Sequence, residues 1–242
     1  MPEPDLIVIL PVYNESASVG RVLREWHAVL ASTLENFVIL AIDDGSKDTT
    51  LEILQQERAS LGDRMEILSR ANRGHGQSCL EGYRIACQRK IPFILQIDSD
   101  GQSDPRFFPE FWKLRASYEV IYGKRERHDG WARVIASGTL RNLLRILEQV
   151  DCVDANVPYR LMDTEKCAST FARIPGEISL ANIALAVLLK RQPGIRHGAV
   201  PITFPARYGG EPSVPLRQFA MKGLELFQQL HAMKNTPDRL LK

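Results

Sequence analysis

Short apolar runs alternating with helix-like segments leave the N-terminal part of this chain few ways to fold. The runs are Leu6–Leu10, Phe37–Ile42, Met65–Leu68 and Phe93–Ile97. Between them apolar residues recur at helical spacing: Val19, Val22, Leu23, Trp26 and Leu30, then Leu51, Leu54 and Leu61. A third helix runs from about Gly76 to Arg89, with Leu80, Tyr83 and Cys87 on its buried side. Strands alternating with helices predict an α/β sheet with right-handed crossovers, its functional loops at the strands' C-terminal ends. After Pro105 the pattern changes. A helix (Pro105–Ser117) and a strand (Val120–Gly123) lead to a basic loop and a long helix from about Trp131 to Val150. A less regular section, a helix near Leu180–Lys190, a strand around Ala199–Phe204 and an amphipathic helix from about Leu216 to Met233 complete the reading.

With 242 residues and 27.3 kDa, one large domain with a substantial core is expected. A net charge of +2, with no run of like charge, excludes nucleic acid as an expected partner. Cys79, Cys87, Cys152 and Cys167 show no C-x-x-C spacing and read as buried thiols of a reducing compartment. The N-terminus shows no signal-peptide pattern. The most apolar helical stretch, Ile178 to Leu189, is too short to span a bilayer and contains Asn182. A cytoplasmic protein, peripheral on the membrane at most, is the expectation.

Polar clusters end three of the strands. Pro11-Val12-Tyr13-Asn14-Glu15 follows the first, Asp43-Asp44-Gly45-Ser46 the second and Asp98-Ser99-Asp100-Gly101-Gln102 the fourth. In an open parallel sheet those ends converge on one crevice. Side chains at i and i+2 of an extended segment share a face, so Asp98, Asp100 and Gln102 aim hard oxygens at one point. Such oxygens suit Mg²⁺ or Mn²⁺, which keeps water and takes other ligands from substrate phosphates. Each cluster singly also reads as a turn or a helix cap. Three at successive sheet ends point to a site.

Gly74-His75-Gly76 precedes a helix but is not a dinucleotide fingerprint, because Cys79 stands at the third glycine position, and no G-x-x-x-x-G-K-[ST] occurs. These glycines read as structural and His75 as an exposed turn residue. Lys124, Arg125 and Arg127 follow a strand, and Arg133, Ser137, Arg141 and Arg145 repeat at four-residue steps along one helix face. A solvated face is the ordinary reading of such a stripe.

The order Leu10-Pro11-x-Tyr13-Asn14-Glu15, Asp43-Asp44-Gly45-Ser46 and Asp98-x-Asp100-x-Gln102 resembles the family-2 glycosyltransferases of GT-A fold. Among them it is most similar to the dolichyl- or polyprenyl-phosphate sugar (mannose or glucose) synthases, from the N-terminus to about Gly210. The resemblance implies a single Rossmann-like GT-A domain, with a mostly parallel central sheet flanked by helices. Residues 1–104 would form its nucleotide-sugar half, 105–212 the acceptor half, and 213–242 an amphipathic helix and tail. It implies that Pro11, Tyr13, Glu15, Asp43 and Asp44, with Asp98, hold a GDP- or UDP-linked sugar. Asp98, Asp100 and Gln102 would hold the metal. Gly123-Lys124-Arg125 and Trp131-x-Arg133-x-x-x-Ser137 are similar to the family's acceptor side, which assigns Arg125 and Arg133 to the acceptor phosphate. Arg145 is left on the surface. Asp154 to Arg160 resembles a segment beside the reaction centre, where Asp154 orients the acceptor or helps the metal and Arg160 either serves the site or pairs structurally with a carboxylate. Arg207, after Pro201-Ile202-Thr203-Phe204, is the implied diphosphate clamp. Asp100, Asp154 and Arg125 stand as the catalytic set.

Family-2 enzymes that act on hydroxyls carry a Gln-x-x-Arg-Trp helix, and Trp26, Trp112 and Trp131 are not preceded by that pattern. A phosphate monoester is already anionic and needs no general base, so a polyprenyl or dolichyl phosphate acceptor and inverting in-line attack are expected. The C-terminal helix would meet a membrane surface or a small membrane-protein partner through Leu216, Phe219, Leu224, Phe227 and Leu230; packing on its own domain is the commoner use of such a face. Transfer to a soluble glycan or other hydroxyl, and non-catalytic binding of a sugar nucleotide, are the competing readings.

Overall fold

Seven strands make one sheet in the order β3-β2-β1-β4-β6-β5-β7. The protein is described by a computed structural model over residues 3–126, 142, 144–146, 149–152, 154–175, 180–209, 225 and 227–230. The strands are β1 (Leu6–Val12), β2 (Phe37–Asp43), β3 (Met65–Ser69), β4 (Phe93–Gln96), β5 (Val120–Arg125), β6 (Arg160–Asp163) and β7 (His197–Ile202). Every neighbouring pair is parallel except those made by β6, which runs antiparallel between β4 and β5. The helices are α1 (Val19–Thr33), α2 (Thr50–Leu61), α3 (His75–Gln88), α4 (Phe108–Leu114), α5 (Thr164–Arg173) and α6 (Ala181–Arg191).

β1 and β2 are buried on both faces, as the unbroken apolar runs require. Alternate residues go to opposite layers. Ile7, Ile9, Val38, Leu40 and Ile42 meet α3, α5 and α6, while Leu6, Val8, Leu10, Ile39 and Ala41 meet α1, α2 and α4. All five residues expected on the inner face of α1 are buried there. In α2 the inward residues are Leu54 with Ile53 and Leu61 beside it, and Leu51 is only half-buried. Cys87 is likewise half-buried against the α3 layer.

Three boundaries shift for physical reasons. β1 continues through Pro11 to Val12, because its ladder with β4 stops at Ile9↔Gln96 and beyond it only β2 remains as partner. A residue with no N–H is tolerated where one side of the strand is open. The expected helix Pro105–Ser117 divides into a 3-10 turn, Pro105–Phe107, and α4. The section read as irregular holds β6 and α5, with Asp163 capping α5 by accepting from Lys166 N at 2.8 Å.

The long helix expected over Trp131–Val150 lies largely outside the described residues; Leu144, on it, is buried and Arg145 is exposed. Of the C-terminal apolar face, Leu216, Phe219 and Leu224 lie outside them too. Leu230 is fully buried and Phe227 packs beside it on the α3–α6 layer. Among the described residues no helix is long and apolar enough to cross a membrane.

Candidate active site

β1 and β4 part company at the switch point of the sheet, where the chain has built outward first on one side and then on the other. The crevice there brings together all three polar clusters. Asn14 adopts a left-handed backbone (φ 52°), a conformation asparagine accepts more readily than most residues. Its N–H donates to Ser46 Oγ at 3.0 Å and its Oδ1 accepts from Lys47 N at 2.8 Å. Glu15 N donates to Thr50 Oγ1 at 2.9 Å, so the first two clusters interlock. The Ser18 hydroxyl, which donates to Glu15 Oε2 at 2.7 Å, also lies 3.0 Å from the Ser99 carbonyl and joins the first cluster to the third.

Asp43 and Asp44 form the floor. Asp43 Oδ1 accepts from Ser46 N (3.1 Å) and Oδ2 from the Ser69 hydroxyl (2.8 Å). Asp44 accepts from Arg73 N (2.9 Å), Gly74 N (2.7 Å) and the Arg70 guanidinium, holding the Arg70–Gly74 turn against the crevice. Gly45 makes that approach possible: at φ 73°, a Cβ would stand 2.9 Å from Asn72 N. Pro11 is buried within β1, whereas the Tyr13 ring is 38% exposed on the rim.

The acidic wall is the third cluster. Asp98, Asp100 and Glu15 face one another closely enough that burial first, then the Asp100 and Glu15 carboxylates, push the Asp98 carboxyl above its ordinary range. Asp98 Oδ1 is buried and receives no hydrogen bond. Asp100 Oδ1 accepts from Gln102 N (2.9 Å), and Gln102 Nε2 donates to the Pro205 carbonyl (3.3 Å). Arg207 bridges the wall, 2.7 Å from Glu15 Oε1 and 3.1 Å from Asp100 Oδ2. His75 is exposed, as expected, but opens α3 instead of lying in a turn, and it faces the same wall with Nε2 3.6 Å from Asp98 Oδ1. The Cys79 sulfur and the Asp98 carboxylate raise its imidazole above the usual range.

These residues fit a divalent ion. The Asp98 oxygen accepts no hydrogen bond, has only the His75 imidazole nearby at 3.6 Å, and beside a second carboxylate offers a hard ligand to a cation. Among the described residues no three His, Cys, Asp or Glu side chains form a ready cage. That suits an ion which takes its remaining ligands from water and a diphosphate.

Across the sheet, Arg125 at the end of β5 forms a two-pronged pair with Asp154. Its Nη2 donates to Oδ1 at 2.5 Å, its Nε donates to Oδ2, and its guanidinium lies 5.2 Å from the centre of the Phe204 ring. Arg133 lies outside the described residues. Arg160 is fully buried, with no carboxylate in ion-pair range among the described residues. Its Nη2 instead faces the carbonyls of Ala155, Val157 and Asn182 at 3.3–3.4 Å, and it packs over the Tyr122 ring. The expectation that Arg160 pairs with a carboxylate is therefore corrected: it braces the segment from Asp154 to Pro158 against β5 and α6.

Sequence reasoning missed Ser18, Arg70 and Tyr208 at this site. Ser18 had a local signal, standing at the N-terminus of α1; Arg70 and Tyr208 had none, because their partners Asp44 and Glu25 lie 26 and 183 positions away.

Comparison with known proteins shows the family and the fold. The family described as "Glycosyl transferase family 2" matches residues 7–164. The uncharacterized glycosyltransferase YkcC of Bacillus subtilis is 30% identical over 165 residues, 66% of this chain and 50% of that protein. The undecaprenyl-phosphate 4-deoxy-4-formamido-L-arabinose transferase of Pseudomonas paraeruginosa is 34% identical over 135 residues, 53% of this chain and 39% of that protein. The chain thus spans half or less of the length of these relatives. Glucosyl-3-phosphoglycerate synthase from Mycobacterium tuberculosis, in complex with phosphoglyceric acid, superposes with a TM-score of 0.69 at 16% identity, covering 97% of this chain and 81% of that one. Its complex with Mn²⁺, uridine diphosphate and glucosyl-3-phosphoglycerate gives 0.67 at the same identity and coverage.

Proposed function

This chain belongs to glycosyl transferase family 2 and has the GT-A fold; from that premise we propose that it moves a sugar from a UDP- or GDP-linked donor to a polyprenyl phosphate, with inversion. The acidic wall carries the reading. Three carboxylates, two of them bridged by Arg207 and the third with a buried oxygen that accepts no hydrogen bond, make a receptor for a cation-bound diphosphate. Asp98 and Asp100, with the Gln102 amide, would hold Mg²⁺ or Mn²⁺, whose charge offsets the charge growing on the departing diphosphate.

The chain's own groups do the rest. Tyr13 and Pro11 frame the base, and Asp43, Asp44 and the turn they hold frame the ribose. Arg207 exchanges its bond to Asp100 for one to a phosphate oxygen, which keeps its charge matched throughout. Asp154 fixes the plane of Arg125, leaving that guanidinium oriented toward the acceptor phosphate together with Arg133. No residue must take a proton, because a phosphate monoester arrives as an anion. The printed activity of the Pseudomonas relative, transfer to undecaprenyl phosphate, supports the acceptor class, and the Mn²⁺ and uridine diphosphate in the mycobacterial complex support donor and metal. Such an acceptor would bring the enzyme to the cytoplasmic face of a membrane.

The test is thermal unfolding with Mn²⁺ or Mg²⁺ and a panel of UDP- and GDP-sugars, followed by turnover with undecaprenyl phosphate against water-soluble hydroxyl acceptors. A matched donor at about 100 times its Kd adds about 2.7 kcal/mol, or roughly 5–10 °C for a chain of this size. Protection without turnover would leave a sugar-nucleotide-binding protein, and transfer to hydroxyls alone would replace the acceptor.

A further inference from the structure

The segment 203–209 leaves β7 with no regular structure, yet it delivers Arg207 to two carboxylates at once. Something must fix it, because a long arginine side chain on a free loop samples many positions. The residue after Arg207 supplies the anchors. Tyr208 N donates to the Asp100 carbonyl at 3.1 Å. The Tyr208 ring sits in the space a side chain on Gly101 would take: a Cβ there would lie 2.5 Å from the ring. The Tyr208 hydroxyl donates to Glu25 Oε2 at 2.7 Å, and the Arg21 guanidinium lies 3.9 Å from the ring centre. Arg21 Nε donates to the other Glu25 oxygen at 2.8 Å, so α1 presents a prepared seat.

We propose that Tyr208 is the positioning residue of the donor site: seated in the Gly101 notch and on Arg21 and Glu25 of α1, it holds Arg207 at the diphosphate-binding position. This rests on the donor-site reading above and assigns a role to residues it does not use. Tyr208 turns its hydroxyl to the outer side of α1, away from the carboxylate wall, so it acts through Arg207. Gly101, which in the sequence is an ordinary turn glycine, doubles as the notch; its φ of 84° and the ring both require the missing side chain.

The experiment measures uridine diphosphate and guanosine diphosphate binding by calorimetry, with Mn²⁺ present, on the full chain. Folding of each variant is checked by circular dichroism. Tyr208→Ala should weaken the bound diphosphate about tenfold or more, and Gly101→Ala should match it by expelling the ring. Tyr208→Phe keeps the ring in its notch and should stay within about threefold. In an Arg207→Gln background, Tyr208→Ala should cost nothing further, since both changes remove the same contact. Trypsin cleavage after Arg207 in the ligand-free protein should quicken for Tyr208→Ala and not for Tyr208→Phe. Binding unchanged by Tyr208→Ala, or a full additional loss in the Arg207→Gln background, overturns the inference alone. A wild-type chain that binds neither diphosphate overturns the donor-site reading, and this inference with it.

Discussion

Asp98 has a buried oxygen that receives no hydrogen bond, and burial with two neighbouring carboxylates outweighs the nearby His75 imidazole and Arg207 in opposing its ionisation. Ionising such a group in the free protein costs the fold something, and a bound cation would offset that cost. Asp98→Asn keeps the shape and removes the charge. The expected outcome is a melting temperature unchanged or raised by up to about 4 °C, together with loss of Mn²⁺-dependent protection by the donor. A scanning-calorimetry pair with and without the sugar nucleotide checks both halves. Arg207 behaves oppositely, because it neutralises Glu15 and Asp100 in the free protein. Arg207→Gln should therefore lower the melting temperature of the ligand-free chain, by about 2–4 °C for each ~1 kcal/mol lost, and strip donor affinity as well. A variant that loses affinity while melting as before would mean that its pairing with the two carboxylates contributes nothing to the fold.

At the level of elements, the crevice exists because β4 ends at Gln96 while β1 runs on to Val12. The end of β4 was legible to within a residue, where an apolar run gives way to Asp98, whereas β1 was read as ending at Leu10, two residues short of Val12. β6 was not legible. It has four residues, two of them Arg160 and Asp163, and its partners β4 and β5 are distant in sequence. A buried arginine in a central strand mimics a site residue, because the contacts that hold its Nη2, the carbonyls of Ala155, Val157 and Asn182, show only in three dimensions. The nearness of Asp98 to Asp100 was legible for the opposite reason: their spacing is local. His75 and Tyr208 join the wall only through tertiary contact. α3, which brings His75 in, lies close on β1 through Gly82, where a Cβ would come within 2.6 Å of the Ile9 side chain. Gly82→Ala should overpack that contact by about 1–3 kcal/mol and lower the melting temperature by roughly 2–10 °C. Thermal denaturation of the variant reads this directly, and an unchanged melting temperature would show that α3 can lift off β1 without penalty.

Across the whole molecule, the sheet edge formed by β5 and β7 is held at its base by groups that titrate. Glu119, just before β5, accepts from Arg196 N at 2.7 Å and pairs with the Arg196 guanidinium just before β7. That bonding draws the Glu119 carboxyl down to about 2 from its ordinary 4.5. His197, first in β7, stacks on Tyr122, and burial lowers its imidazole to about 4 from 6.5. Both folded-state values lie below the unfolded ones, so the unfolded chain binds more protons across each gap and stability falls as pH falls. The loss from His197 belongs to pH 6.5 down to about 4, and that from Glu119 to 4.5 down to about 2. Salt separates them. The ion pair sits at the surface with Arg196 largely exposed and is screened, whereas the penalty on charging a buried imidazole is not. Urea unfolding from pH 8 to 3 should therefore show an upper limb insensitive to salt and a lower limb that shrinks at high ionic strength. Arg196→Ala should flatten the lower limb and leave the upper one, while His197→Gln should do the reverse. The far ends of these two strands carry Arg125 and lead into the segment that holds Arg207, so acid should loosen this edge before it reaches the paired strands β1 and β2. Hydrogen exchange at pH 5 would then quicken at β7 ahead of β1, and equal rates at both would show that the edge has no separate stability.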